Sequence, residues 1–118
     1  MEEFTIRVVP IRPEGTVLKI EIDFSIFDSP TTAYGMATGT LDVPSLPVEG
    51  DRLQVSGARG AICVDGFDGC LKVEHLVAIE RTGRCIFMLS DVVTESRADA
   101  ELLHRRLEAE SDVFVDEY

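Results

Sequence analysis

"TVLKIEIDFSIF", Thr16 to Phe27, decides the fold class. Leu18, Ile20, Ile22, Phe24 and Ile26 recur at period two, with Val17, Lys19, Glu21, Asp23 and Ser25 between them. Successive side chains of an extended chain point to opposite faces. The pattern therefore predicts a long antiparallel strand with one face on a core and the other in water.

Upstream, "FTIRVVPI" alternates and predicts a strand with Phe4, Ile6 and Val8 on one face. "RPEG" supplies a turn, and the two strands are expected to pair as a hairpin. Downstream, "DSPTT" reads as a loop and "AYGMATGTLDV" as another strand. Gly35 and Gly39 inside that strand predict a bulge or tight bend. In "LDVPSLPVEGDRLQV", Leu41 to Val55, Pro44 and Pro47 cannot donate ladder hydrogen bonds, so the sheet must pause. "VEGD" turns the chain, and Leu53 and Val55 resume an inward alternation. The stretch reads as a corner between strands, with no ligand required. Its order of strand, proline, Gly-Asp and short strand resembles connections in small SH3-like barrels. The resemblance covers about fifteen residues, implies fold only and carries no functional residue.

"GARGA" reads as a loop, "ICV" as a short strand and "DGFDG" as a glycine-rich turn. "CLKVEHLVAIE" and "CIFMLSDVV", joined by "RTG", predict a hairpin. Leu71, Val73, Val77 and Ile79 are expected on one face of its first strand, Leu76 and Ala78 on the other. Apolar residues on both faces imply a hairpin covered on both sides, one cover being the helix that follows. That helix begins at a capping Ser96 with Asp99 at the third position. Its expected apolar stripe is Ala98, Leu102, Leu103 and Leu107, with Glu101 and Arg105 as a surface pair. "SDVFVDEY" predicts an edge strand or an acidic tail. The expectation is one α+β domain over residues 1–118, strand-rich over 4–94, with a helix at about 97–110 and the tail or edge strand at 111–118. Its sheet is a curved antiparallel one or a small barrel of about six or seven strands.

Charge sets the first functional constraint. There are 22 acids against 11 bases in 118 residues, a net charge of −11. Residues 91–118 hold nine of the acids and three arginines. A basic face for nucleic acid or anionic membrane is not expected; solubility and fast association with a basic partner are. The amino-terminal "MEEF" has no basic or apolar leader pattern, and no run reaches the roughly 20 apolar residues of a membrane span. Cys63, Cys70 and Cys85 form no C-x-x-C spacing, so reduced cytoplasmic thiols are expected, with no zinc and no required disulfide.

No short motif carries chemistry. An EF-hand register with Gly69 at the sixth position puts Val64 first and His75 twelfth, which fails. The glycines near Asp65 and Asp68 lack the lysine and hydroxyl of a phosphate loop. Cys70 and His75 are five apart on one strand, about 16 Å by strand rise and on opposite faces, beyond hydrogen-bond reach. His104 beside Arg105 and Arg106 reads as a solvated helix face. Glu21 and Asp23 share a polar strand face; a shifted carboxylate pair is the sharper reading, an exposed face the plainer one.

No cofactor, metal or catalytic set is expected. The sequence points to a non-catalytic acidic module that binds a basic protein, as an immunity or inhibitor protein for a nucleic-acid-acting partner would. The partner-binding candidates are Glu108, Glu110, Asp112, Phe114, Asp116, Glu117 and Tyr118, with Glu21 and Asp23 as a second patch. The alternative is a small-molecule-binding barrel with Tyr34, Met36, His75 and Met88 around an inner cavity. A third reading is self-association through exposed strands.

Overall fold

The structure, a computed structural model, describes residues 18–57, 60–79 and 81–118. The expected strand at Phe4–Ile11 and its turn lie outside the described residues, as do Ala58 and Arg59 of the "GARGA" loop and Glu80 just before "RTG".

The deciding stretch forms β1, Leu18–Ser29, and the chain returns at once as β2, Thr32–Val43. Ile20, Ile22, Phe24 and Ile26 are buried, and Leu18 packs against them, as the alternation requires. The proline corner follows. Gly50 turns there with φ of 94°, and Asp51 accepts a hydrogen bond from the Val48 backbone N–H. Backbone bonds from Gly50 to Val73 and from Val73 to Asp51 dock the corner on the sheet. Its length is a connection, as its residues suggest.

Three short strands follow: β3 (Arg52–Gln54), β4 (Ser56–Gly57) and β5 (Gly60–Ala61). "ICV" forms no strand; only Val64 bridges, to Phe67. The later hairpin is β6 (Cys70–Ile79) and β7 (Arg84–Leu89), followed by β8 (Val92–Val93). Helix α1 spans Arg97–Glu110 and β9 spans Val113–Glu117, so the carboxyl-terminal segment is a strand rather than a tail, and among the described residues it lies at one edge of the sheet. The sheet order is β9-β2-β1-β7-β6-β3, with β8 beside β1; β4 and β5 form a separate pair. The architecture is α+β, a curled half-barrel with one carboxyl-terminal helix.

The sheet is mixed. β7 and β8 run parallel to β1 while its other pairs are antiparallel. β2 holds one edge of β1, and the β6–β7 hairpin reaches the other only after the excursion through the corner. Such a crossover leaves the strand orientation to tertiary packing, which residue alternation does not report.

Ser96 caps α1, accepting from the Asp99 N–H while its hydroxyl donates to the Asp99 carboxylate. The buried stripe is Ala100, Leu103 and Leu107; Leu102 is 40% exposed. The expected stripe is thus rotated, because α1 packs toward β1, β9 and β4 rather than over the β6–β7 hairpin. Glu101 pairs with Arg97 in place of Arg105. Ala100, Leu103 and Leu107 join the inner residues of β1, β2, β6, β7 and β9 in one apolar core.

A register shift between Val73 and His75 changes β6. One extra residue re-aims everything after it. Leu71 and Val73 stay in the core, but Val77 emerges on the opposite face, 43% exposed and opposite Ile86. The shift also puts Cys70 and His75 on one face, against expectation. Strand rise still separates them by about 16 Å. The expected second cover of this hairpin does not exist among the described residues.

A candidate interaction face on the uncovered sheet

Two polar regions result from these elements, one beneath the helix and one on the bare side of the sheet. The first begins with a bulge. Ile26 pairs with Gly35 and Phe27 with Ala33, leaving Tyr34 as the extra residue of β2. The bulge turns its ring to the helix side, where it is 2% exposed. Its hydroxyl lies 2.9 Å from His104 Nδ1 and donates to Glu117 Oε1 at 3.3 Å in one of its arrangements. His104 Nε2 lies 3.2 Å from Glu108, whose carboxylate also accepts the Val115 N–H at 2.9 Å. Arg97 sits over the Tyr34 ring, 5.1 Å from its centre, and bonds Glu117 and Asp28. Burial, and then Glu117, keep the Tyr34 proton on above the ordinary tyrosine value.

The trio of Glu108, His104 and Tyr34 forms a clamp that joins α1 and β9 to β2. It also caps an edge. Asp112 and Tyr118 bond toward β2, so the odd residues of β9 point their backbone groups outward. Glu108 occupies the outward N–H of Val115, the middle of that edge. His104 is thus no solvated residue, and neither is Arg106, which bonds Glu110 and the Cys63 carbonyl.

The second region is the sheet face turned away from α1. Strand registers set its rows. Phe114, Thr38, Asp23, Met88 and His75 stand side by side on β9, β2, β1, β7 and β6. Thr40, Glu21, Ile86 and Val77 form the next row, and Asp116, Met36 and Ser25 the one on the other side. Phe114 is 63% exposed. A groove of about 430 Å³ lies between Phe114 and the Glu21–Asp23 pair, floored by Thr38, Gly39 and Thr40 and closed by Arg84 and Ile86.

Electrostatics separate the two carboxylates. Arg84 grips Glu21 through two nitrogens, one bond being 3.1 Å from Nε to Oε2. The hydrogen bond to Arg84 holds the Glu21 carboxyl below the ordinary glutamate value despite slight desolvation. Asp23 makes no hydrogen bond or ion pair among the described residues. Burial, then the Glu21 charge, push its carboxyl above the ordinary aspartate value, with Arg84 pulling the other way.

The structure distributes the sequence candidates unevenly. Glu108, Glu110 and Glu117 are bonded within the chain, and Asp112 lies 3.8 Å from Lys19. Phe114, Asp116, Glu21 and Asp23 share the open face, and Tyr118 is 72% exposed at the end of β9. Met36, His75 and Met88 lie on that face too, whereas Tyr34 lies on the other side beneath α1, so the four do not line one cavity. Thr38, Ile86, Val77 and Arg84 went unmarked in the sequence because only strand order brings them together.

A larger cleft of about 540 Å³ lies between the Val64–Leu71 and Ser90–Val93 segments, with Asp65, Asp68 and Asp91 in its walls. Cys63, Cys70 and Cys85 carry free thiols. Among the described residues no helix is long and apolar enough to cross a membrane. Fold and face define the chain as an α+β half-barrel with one sheet face left uncovered by the described residues. No family model, curated protein or solved structure matches the chain.

Proposed function

We propose that the chain is a non-catalytic protein-binding module that offers its uncovered sheet face to a basic protein. The observation that carries this is the mixture on that face. An exposed Phe114, the exposed Val77 and the half-buried Met36, Ile86 and Met88 stand among Asp23, Glu21 and Asp116. Aromatic and methionine side chains supply contact area, and surrounding charge supplies orientation and encounter rate. A net charge of −11 extends the same field over the whole molecule. A stoichiometric inhibitor or immunity protein suits this chemistry, its carboxylates taking the place of nucleic-acid phosphates on the partner.

Photo-cross-linking in the source cells tests the reading. A photoreactive residue at Val77, on the face, should capture a protein of high isoelectric point; one at Leu102, on the outer side of α1, should not. Equal capture at both positions, or capture only at Leu102, would sink the proposal.

A further inference from the structure

Asp23 is a poor surface carboxylate and a good recognition group. It sits half-buried in the row between Thr38 and Met88, while the nearest cation, Arg84, is engaged by Glu21. The base thus bonds Glu21, while Asp23, equally half-buried, keeps no hydrogen bond or ion pair among the described residues. Opposite stands Phe114, two strands away, with the short Thr38 side chain between them. Two strand spacings are about 9–10 Å. The result is a slot with an aromatic wall, a small polar floor and a carboxylate wall with no direct hydrogen bond or ion pair among the described residues.

Resting on the reading of this face as a protein-binding surface, we infer that the slot takes one arginine side chain of the partner, its guanidinium against the Phe114 ring and its donors on Asp23. A planar cation matches both walls. Its face stacks on an aromatic ring while its edge donates in a fork to a carboxylate. Lysine offers a compact, strongly hydrated charge that satisfies one wall at a time. The threonine hydroxyls at 38 and 40 add acceptors along the floor, and Ile86 covers the aliphatic stem. The charge at Asp23, only partly offset by Arg84, and the open aromatic at Phe114 are each unfavourable in the free molecule, and one ligand group relieves both. The raised proton affinity of Asp23 accords with this placement.

The test titrates the isolated protein with N-acetyl-arginine amide at constant ionic strength, followed by backbone amide NMR. Saturable shifts are expected at Asp23, Thr38, Thr40 and Phe114, with binding on the order of 1–10 mM, as for one charged side chain. Asp23→Asn should weaken binding about tenfold, the scale of one charge-assisted contact. Phe114→Leu keeps the strand and should weaken arginine more than N-acetyl-lysine amide. N-acetyl-norleucine amide should not shift these residues. Norleucine shifting them equally would make the slot a merely apolar surface and overturn the inference. So would arginine shifts spread over Asp112, Asp116 and Glu117 and indifferent to Asp23→Asn. The arms separate the two readings: cross-linking at Val77 without arginine binding sinks the slot alone. Arginine binding without partner capture at Val77 upholds the slot and sinks the protein-binding module.

Discussion

Asp23 and Tyr34 show how two residues on neighbouring strands acquire opposite roles from their surroundings. Asp23 binds its proton more tightly in the folded chain than at the ordinary value of 3.8. A raised carboxyl favours the folded state fully below the unfolded value and loses that stability as pH rises through the folded one. Ionised Asp23 therefore burdens the fold at neutral pH. Asp23→Asn is expected to raise the melting temperature by about 1–2 °C at pH 7, after allowance for solvent screening, and not at pH 3. Calorimetry at both pH values measures it; a loss at pH 7 would show that the carboxylate has a stabilising partner. Tyr34 is the reverse, a group the fold uses. Tyr34→Phe keeps the buried ring and removes the bonds to His104 and Glu117. It should cost about 1 kcal/mol. Because its proton is held above the ordinary value of 10.0, wild-type stability should also fall as pH rises from there through the folded value. Denaturant titrations at pH 8 and pH 11 on both proteins should show that fall in the wild type and a smaller one in the variant.

At the scale of elements, β9 is the piece whose position matters most. It carries Phe114 and is held by three devices. Val113 and Val115 enter the core, Glu108 clamps the Val115 N–H, and β2 lets it approach closely. That last device is glycine. A Cβ on Gly39 would stand 2.2 Å from the Asp112 carbonyl oxygen, and one on Gly35 2.6 Å from that of Asp116. Both glycines have ordinary extended backbone, so space rather than dihedral freedom requires them. Gly39→Ala is expected to lift β9 from β2 at a cost of about 2–3 kcal/mol. Hydrogen exchange should then speed at the Thr40 N–H, which donates to Asp112, and at the Tyr118 N–H, which donates to Tyr34. Unchanged protection at both would mean that β9 stays docked by its valines alone. The Glu108 clamp also bears on self-association. It blocks the middle of an outward edge that would otherwise accept another strand, a common way of protecting such edges.

For the whole molecule the dominant quantity is net charge. Long-range attraction to a basic partner is screened over about 8–10 Å near physiological salt. The association rate with the captured partner should fall steeply as salt rises, while dissociation changes little. Stopped-flow mixing across a salt series measures this, and a flat association rate would assign the charge to solubility. Replacing all five acids between Glu108 and Glu117 by amides would not isolate the effect. Glu108, Glu110 and Glu117 serve internal bonds, so that variant should lose stability as well as charge. Asp116→Asn, on the open face and outside those bonds, separates steering from folding.

Much of this was legible in the residues alone. Alternation from Leu18 to Ile26 determined one buried face of β1, because period two leaves no other way to bury those side chains together. Ser96 announced the start of α1, since a side chain that satisfies an orphan N–H acts locally. Prolines and Gly50 announced the corner for the same reason. The acid count motivates the proposal of a basic partner. Everything that required two distant segments to meet was decided by tertiary structure. The bulge at Tyr34 falls beside Gly35, one of the two glycines that predicted it, but the parallel pairing of β1 with β7, the rotated stripe of α1 and the bulge beyond Val73 have no local signal, because each trades a local preference for core packing. The candidate site belongs to this second kind. Asp23 was visible as a carboxylate and Phe114 as an exposed aromatic. Only the strand order β9-β2-β1 sets them two strands apart on one bare face, since hydrogen-bonded registers fix lateral neighbours that sequence separation conceals.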